Sequence, residues 1–208
     1  MANGDAGAGA PGNGYTPQQG RITFKGETRS KMRPYDAARG GIARTFQNIR
    51  LFRDMTTIEN VETAASRSPR ANGLFRSRRV SREVLAMLGL EHVADLIVST
   101  LPYGLQRRVE IARAIATRPH LLLLDEPAAG LNEAESDELL DVIRSLRVDL
   151  GVGVLVVDHD LRLIMRVSER IHVLNEGHTL AEGTPEEIRA NAEVREAYLG
   201  TLRHLRAR

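Results

Sequence analysis

Apolar residues in the second half of the chain fall into short continuous runs that alternate with helical spacings. The predicted order is a strand at 120–124, a helix from Glu133 to Leu150, a strand at 153–157, a helix at 161–167 and a strand from Arg170 to Leu174. Continuous apolar strands that alternate with helices are typical of a parallel sheet covered on both faces. We therefore predict an α/β fold in which ligands bind at the carboxyl ends of the strands.

Turn and cap signals mark further elements at both ends of the chain. Residues 21–26 alternate in period two and end at a glycine, which predicts a strand that enters a turn. Thr56 and Glu59 have the spacing of a capping box, so a helix is predicted directly after this cap. The segment 175–187 predicts a turn, a strand and a capped last helix.

The middle of the chain has helical patterns. The segments 84–90 and 105–117 are amphipathic, and the second has four predicted inward residues, Val109, Ile111, Ala112 and Ile115. The preceding segment 66–82 is rich in arginine and lacks interleaved aromatic residues, so we predict a solvated loop there rather than a phosphate-backbone patch.

Composition narrows the class of protein. The 208 residues are 42% apolar and 27% charged, which is typical of a soluble globular domain and excludes fibrous and largely disordered chains. No uncharged apolar run approaches the roughly 18 residues of a membrane helix, and the first residues lack the features of a signal peptide. Without cysteine there is no disulfide or thiolate chemistry, so we expect a cytosolic protein. The net charge of +2 permits nucleic-acid binding without indicating it.

Two adjacent acids, Asp125 and Glu126, follow the first buried strand at the predicted ligand edge. One carboxylate in such a place can hold Mg²⁺ on a nucleotide, and its neighbour can orient the attacking water. An isolated acid pair would be better explained as an ordinary acidic turn. His159, however, follows the next buried strand, and it lies beside Asp125 if the two strands are neighbours. A polar side chain there can touch a transferring phosphoryl group, although most lone histidines are structural.

Several motifs follow one another along the chain: Leu101-Pro-Tyr-Gly-Leu105, Ile111-Ala-Arg-Ala114, Leu121 to Pro127, Ala128 to Asn132 and His159. In this order they resemble the nucleotide-binding domain of ABC transporters, from about Gly14 to Gly200. The segments Ala43 to Phe52, Met55 to Asn60 and Ala197 to Gly200 are most similar to the ATP-binding subunits of branched-chain amino acid importers. The resemblance implies an α/β, P-loop NTPase-like (ABC ATPase) parallel sheet with a helical subdomain.

The resemblance also implies how the chain is divided. The expected parts are a disordered segment unrelated to the family at 1–14, the rest of an N-terminal core with the Q-loop at 15–54, a helical subdomain ending in the signature motif at 55–117, an α/β core with the Walker B motif, D-loop and switch histidine at 118–200, and a basic tail at 201–208.

Each motif residue takes an implied role toward ATP and Mg²⁺. By resemblance, Gln47 is the Q-loop glutamine that contacts the metal or water, and Asp125 is the Walker B ligand of Mg²⁺. Glu126 is the catalytic carboxylate and His159 the switch histidine at the γ-phosphate. The signature and D-loop residues, which act on ATP bound by a second ATP-binding subunit in a head-to-tail dimer, are Leu101, Pro102, Tyr103, Gly104, Leu105 and Asn132.

The sequence departs from the family pattern in the signature and upstream of it. Pro102 stands where Ser or Ala is common and Leu105 where Gln is common, which removes hydrogen-bond donors toward phosphate. The P-loop motif, Gly-x-x-x-x-Gly-Lys followed by Ser or Thr, does not occur in the sequence. Because Tyr15 to Phe24 resembles the family segment that follows this loop, we expect the first strands, the P-loop and its helix to be missing.

Three functions follow, of which the first is favoured. In the first, the working protein is a longer Mg-ATPase that drives amino acid import, and this sequence is an N-terminally truncated or mis-started version. In the second, the chain is a P-loop-less, non-catalytic subunit that pairs with a complete ABC ATPase and lends its signature. The third, a soluble ABC-type ATPase acting on ribosomes or DNA, is disfavoured because such proteins usually carry two of these domains.

The favoured function implies specific partners. The resemblance implies membrane permease subunits and a separate substrate-binding protein for the complex, with no nucleic-acid partner. The implied location is cytoplasmic, peripheral on the inner face of the cell membrane through the permease.

Overall fold

The structure is a computed structural model that describes residues 21–29, 32–66 and 74–197. The strands are β1 (Ile22–Phe24), β2 (Glu27–Arg29), β3 (Ile42–Arg44), β4 (Leu121–Asp125), β5 (Gly153–Val157), β6 (Ile171–Asn175) and β7 (His178–Gly183). The α-helices are α1 (Pro34–Gly40), α2 (Thr57–Ala65), α3 (Leu74–Met87), α4 (Tyr103–Ala116), α5 (Glu133–Leu150), α6 (Leu161–Val167) and α7 (Pro185–Ala190). Among these described residues, no helix is both long enough and apolar enough to cross a membrane.

A parallel sheet of β3, β4 and β5, in that order, forms the centre of the fold. Leu122 of β4 lies between Ala43 of β3 and Val154 of β5. The connection from β4 to β5 is α5, which has the bounds predicted from the sequence. Asn132 caps the start of this helix, and Gly151 ends it in the left-handed conformation that favours glycine, with φ of 62°. The predicted α/β architecture is therefore confirmed.

β6 does not join the parallel sheet. It pairs with β7 in an antiparallel hairpin in which Asn175 lies opposite His178. Glu176 and Gly177 between them both have positive φ, 49° and 80°, which suits a two-residue turn between antiparallel strands. The prediction of a third parallel strand from Arg170 to Leu174 is therefore wrong, whereas the predicted turn, strand and capped last helix are present.

The two faces of the parallel sheet differ in burial. Leu124 is buried in the main apolar core, which also contains residues of α2, α4 and α5. Val154 and Val156 of β5 pack against this core. Their neighbours Leu155 and Val157 face the other way and are 54% and 58% exposed. The prediction that β5 is buried on both faces is therefore wrong, because only one of its faces contacts the core.

α3 corrects the sequence-based prediction of a solvated loop at 66–82. Residues 67–73 lie outside the described residues, but the helix already begins at Leu74. Val80 and Val84 are buried at helical spacing in the main core, together with the fully buried Ser77 and Ser81. Each of these hydroxyls donates to a backbone carbonyl, so the polar pattern that suggested a loop is compatible with a packed helix.

Capping boxes start three of the helices. At α2, the Thr56 hydroxyl accepts from the Glu59 amide, and the Glu59 carboxylate accepts from the Thr56 amide at 2.8 Å. These bonds from Thr56 lower the pKa of Glu59 from its ordinary value. The corresponding boxes are Asn132 with Glu135 at α5 and Thr184 with Glu187 at α7. The helix starts predicted near Thr57 and Pro185 are thereby confirmed.

Replacing Thr56 with alanine should destabilise the protein by about 1 kcal/mol, because the Glu59 amide loses its acceptor and the Glu59 carboxylate loses the hydroxyl donor. Urea unfolding at neutral pH measures this loss. As a control, Thr63→Ala removes a hydroxyl from the same helix that bonds only to the Asn60 carbonyl, and it should change stability by less than about 0.5 kcal/mol. Equal effects of the two substitutions would show that the cap contributes nothing specific.

Since the pKa of Glu59 is lowered, the contribution of its carboxylate to the stability of the protein should persist above pH 4.5 and be lost as the pH falls through the lowered pKa.

Candidate functional site

The carboxyl ends of β4 and β5 form one edge of the parallel sheet. Asp125 lies opposite Val157 in the strand register, and the Glu126 amide donates to the Val157 carbonyl at 2.8 Å. The loop that follows β5 contains His159. The condition stated for His159 is therefore met, since β4 and β5 are adjacent, and the acid pair and the histidine lie at the same edge.

Glu126 lies at the centre of this edge. Its Oε2 accepts from Gln47 Nε2 at 2.9 Å, and its Oε1 is 3.5 Å from His159 Nδ1. The Glu126 side chain is 27% exposed and that of His159 is 78% exposed, so a ligand from solvent can reach both. Three residues that are far apart in the sequence and were predicted to belong to one site are thus brought together.

Asp125 has a cationic neighbour that sequence reasoning did not single out. Arg44, at the end of β3, donates from Nη2 to Asp125 Oδ2 at 2.9 Å. The guanidinium of Arg44 also lies over the Phe46 ring, 5.6 Å from its centre. Because β3 and β4 are adjacent parallel strands, an arginine at the end of one and an aspartate at the end of the other meet at the same edge. Only the folded sheet shows that β3 and β4 are adjacent, so the sequence alone does not indicate the ion pair of Arg44 and Asp125.

The segment after Gln47 is held against α2 and α4. The Asn60 side chain is fully buried; its Oδ1 accepts from the Phe52 amide at 2.9 Å, and its Nδ2 donates to the Phe52 carbonyl at 3.0 Å. The Arg113 guanidinium donates to the Arg50 carbonyl and lies 4.9 Å from the centre of the Phe52 ring. Burial lowers the pKa of Arg113, and the nearby Glu110 opposes this shift. The Phe52 ring itself is 47% exposed at the surface of this segment.

The signature residues form the start of α4. Pro102 is the N-cap and has no side-chain capping bond, and Leu101 is buried in the core. Tyr103 is 44% exposed, whereas Gly104 is buried and Leu105 is packed against the core. The helix thus begins two residues earlier than predicted, with its four predicted inward residues buried.

The D-loop packs against the signature. Gly130 has φ of 80°, and a Cβ at this glycine would lie 3.2 Å from the Tyr103 ring. A Cβ at Gly104 would lie only 2.8 Å from Glu135 Oε1. Asn132 uses its side chain to cap α5 by accepting from the Glu135 amide at 2.9 Å. Both glycines therefore permit a close approach between the signature and the start of α5.

Sequence reasoning also missed a buried ion pair behind the edge. Arg107 of α4 is only 1% exposed and lies 2.6 Å from the Glu110 carboxylate. Its remaining hydrogen bonds go to four backbone carbonyls, those of Phe46, Asp125, Glu126 and Pro127. The sequence does contain one indication of this ion pair: an Arg and a Glu three residues apart, on the helix face that also carries the buried Ile111.

Comparison with known proteins assigns the family. The profile described as ABC transporter matches residues 13–129, and the profile described as branched-chain amino acid ATP-binding cassette transporter matches residues 178–202. The chain is 45% identical over 199 residues to the high-affinity branched-chain amino acid transport ATP-binding protein BraF of Pseudomonas aeruginosa, covering 89% of this chain and 78% of that protein. With the same coverage it is 42% identical to the corresponding protein LivG of Escherichia coli K12. The chain belongs to the ATP-binding subunits of ABC transporters.

Other relatives and solved structures agree with this family. The ABC ATPase chain is 34% identical to the lipopolysaccharide export system ATP-binding protein LptB of Escherichia coli K12, covering 90% of this chain and 77% of that protein. It superimposes on the ADP conformation of the ATP-binding cassette MJ1267 with a TM-score of 0.74 and 25% identity, covering 88% of this chain and 78% of that one. It also matches a dimeric, post-hydrolysis cassette bound to ADP and phosphate with a TM-score of 0.70 and 27% identity, covering 82% and 75% of the two chains. The sequence-based assignment to this ATPase family and fold is therefore confirmed.

The strand ends of this ABC ATPase carry oxygen donors, and their fit to a metal-bound nucleotide follows from the chemistry of these donors. The carboxylates of Asp125 and Glu126 are oxygen donors of the type that Mg²⁺ prefers. No cluster of three or more His, Cys, Asp or Glu side chains suited to a metal occurs among the described residues, so phosphate oxygens would have to complete the coordination. Arg44 would also have to release Asp125. The edge therefore fits Mg²⁺ on a nucleotide, whereas the sequence contains no P-loop motif to cradle the phosphates.

Proposed function

We propose that this chain is the ATP-binding subunit of an ABC importer that couples ATP binding and hydrolysis to the uptake of branched-chain or related amino acids. The observation that carries the chemistry is the convergence of Gln47 and His159 on the Glu126 carboxylate. The substrate class is supported by the relatives BraF and LivG, both named as branched-chain amino acid transport proteins, and by the family profile at residues 178–202.

Each residue at the edge has a proposed task. Asp125 would hold Mg²⁺ once released from Arg44, and Gln47 would supply its amide oxygen to the same ion or to its water. Glu126 orients the attacking water and accepts its proton. His159 donates a hydrogen bond to the γ-phosphate. Bound Mg²⁺ supplies positive charge that stabilises the transferring phosphoryl group.

The signature has its task in a dimer. We propose that the start of α4, with Tyr103 and Gly104, faces ATP held by a second ATP-binding subunit arranged head to tail. Backbone amides and the helix dipole at such a terminus favour a phosphate. Pro102 has no backbone N–H and Leu105 has no side-chain donor, so the remaining backbone amides of the first turn carry this contact. Asn132 keeps its capping bond, and the backbone of the D-loop reaches the neighbour.

The remaining partners follow from the importer assignment. We propose that permease subunits bind this chain at the segment after Gln47, where the Phe52 ring is exposed beside Arg113. This contact places the chain in the cytoplasm, peripheral on the inner face of the cell membrane. A separate substrate-binding protein delivers the amino acid to the complex, and no nucleic acid takes part.

The second candidate is a P-loop-less, non-catalytic subunit that pairs with a complete ABC ATPase. It is favoured by one observation, the lack of a Gly-x-x-x-x-Gly-Lys motif in the 208 residues. In that case the signature at the start of α4 would still act on the partner's nucleotide. Glu126 and His159 of this chain would then be idle.

Titration of the isolated 208-residue chain with Mg-ATP tests the contribution of the missing motif. We expect no saturable binding below about 1 mM, because the edge lacks the amides and lysine that hold the β- and γ-phosphates. Isothermal titration calorimetry with Mg-ATP measures the affinity, and a parallel titration with EDTA present is the control. Magnesium-dependent binding in the micromolar range would contradict this expectation and show that other residues cradle the phosphates.

A further inference from the structure

Arg107 makes an unusual set of contacts for a helical residue. Its Nε donates to the Pro127 carbonyl at 3.0 Å, and its Nη2 donates to the carbonyls of Asp125 and Glu126 at 3.0 and 2.8 Å. Its Nη1 donates to the Phe46 carbonyl at 2.7 Å and to Glu110 at 2.6 Å. One buried guanidinium therefore binds three consecutive carbonyls, from the last residue of β4 to Pro127, and the carbonyl of the residue before Gln47.

The backbone that Arg107 holds is strained. Glu126 has φ of 43°, in the left-handed region that residues other than glycine seldom adopt. Such conformations persist only where the surrounding structure holds them, and they concentrate at functional sites. The planar fork of arginine presents several donors in fixed directions, a geometry that lysine lacks. Arg107 is therefore suited to hold this turn in its strained form.

Glu110 completes the arrangement. Its Oε2 neutralises Arg107, and its Oε1 accepts from the Phe46 amide at 3.4 Å. Both backbone groups of Phe46 are thus bound to the ion pair, and Gln47 is the next residue. The pair contacts both strand-end segments whose side chains meet at Glu126.

We propose that Arg107 is a positioning residue, charge-balanced by Glu110, that aims the Glu126 carboxylate at Gln47 and His159. It also joins α4, which begins with the signature, to the Q-loop and the Walker B turn. What the aimed carboxylate does rests on the proposed function, but the positioning itself does not.

The decisive variant replaces both partners, Arg107→Met with Glu110→Met, so that no unpaired charge is left inside the protein. We expect a cooperative melt with a Tm above that of Arg107→Met alone. The ring signals of His159 and the side-chain amide signals of Gln47 in NMR spectra should nevertheless shift, because the Glu126 turn relaxes. In the transporter assembled with its permease, kcat for ATP should fall about tenfold or more while KM changes by less than about twofold.

Two further variants keep the test decisive. Arg107→Lys retains the charge but not the fork, so it should shift the same signals even if the double variant does not fold. The matched control is Arg144→Met with Asp141→Met, which removes an exposed pair of the same helical separation on α5. The control should leave the His159 and Gln47 signals unchanged.

The outcomes separate positioning from simple packing. The proposal would be overturned if the double variant and Arg107→Lys both fold and leave the Gln47 and His159 signals unshifted. The Glu126 turn would then keep its conformation without Arg107. Shifted signals support it. If the unsubstituted transporter hydrolyses no ATP, the proposed function fails, yet the NMR comparison on the 208-residue chain still decides the role of Arg107.

Discussion

Glu126→Gln should reduce steady-state ATP hydrolysis by the assembled transporter by about 10²-fold or more, because positioned acid–base groups contribute roughly 10²–10⁴-fold to such reactions. Glutamine has nearly the shape of glutamate, and its carbonyl oxygen can still accept from Gln47 Nε2. The substitution therefore removes the base without emptying the site. A phosphate-release assay at saturating Mg-ATP measures kcat, and a nucleotide titration should show affinity changed by less than about twofold.

The same variant discriminates between the two proposed functions. Glu91→Gln, which removes an exposed carboxylate from a short 3-10 helix, is the matched control and should leave the rate unchanged. If Glu126→Gln behaves like this control, the chain's own site does not hydrolyse ATP. That result would favour the non-catalytic subunit, in which only the signature of this chain serves the partner's nucleotide.

The site edge was predictable because it follows from strand order. Apolar runs identified β4 and β5, and parallel strands end at the same edge of a sheet, so His159 was expected beside Asp125 if the strands were neighbours. In the structure its ring nitrogen lies near the next residue, Glu126. α5 was predictable to its last residue because Asn132 caps its start and Gly151 ends it. These predictions depend on local signals that tertiary packing did not override.

The failures have a shared physical origin in contacts that are remote in sequence. The many arginines of segment 66–82 suggested a loop, but Ser77 donates its hydroxyl to the Glu62 carbonyl of α2 and Ser81 donates to the Ser77 carbonyl within α3. β6 has an apolar run that fits a parallel strand equally well. Its pairing was decided by the turn at Glu176 and Gly177, which brings β7 back antiparallel.

The exposed face of β5 was missed in the sequence-based prediction for a similar reason. A continuous apolar run predicts burial on both faces, yet it cannot show which neighbour covers each face. Val156 packs against the core, whereas Leu155 and Val157 face away from it. The roles of Gln47 and Asn132 rest on resemblance to the family.

Arg107→Met alone should destabilise the protein by about 3–5 kcal/mol, the typical cost of breaking a buried ion pair by removing one partner. Glu110 would remain 6% exposed without its cation, and four backbone carbonyls would lose a donor. Since domains are commonly stable by only about 5–15 kcal/mol, this loss is a large share of the total. Urea unfolding followed by circular dichroism measures it.

Adding Glu110→Met to that variant should restore the part of the lost stability that comes from the unpaired Glu110 charge, because two apolar side chains of similar volume replace the buried pair. The four carbonyls still lack a donor, so the double variant should lie between Arg107→Met and the unsubstituted protein, and the two substitutions are non-additive. Additive losses would contradict this expectation, since they would mean that the carbonyl contacts of Arg107, and not its charge balance with Glu110, dominate its contribution to stability. The non-additivity is what allows a folded double variant to report on the Glu126 turn alone.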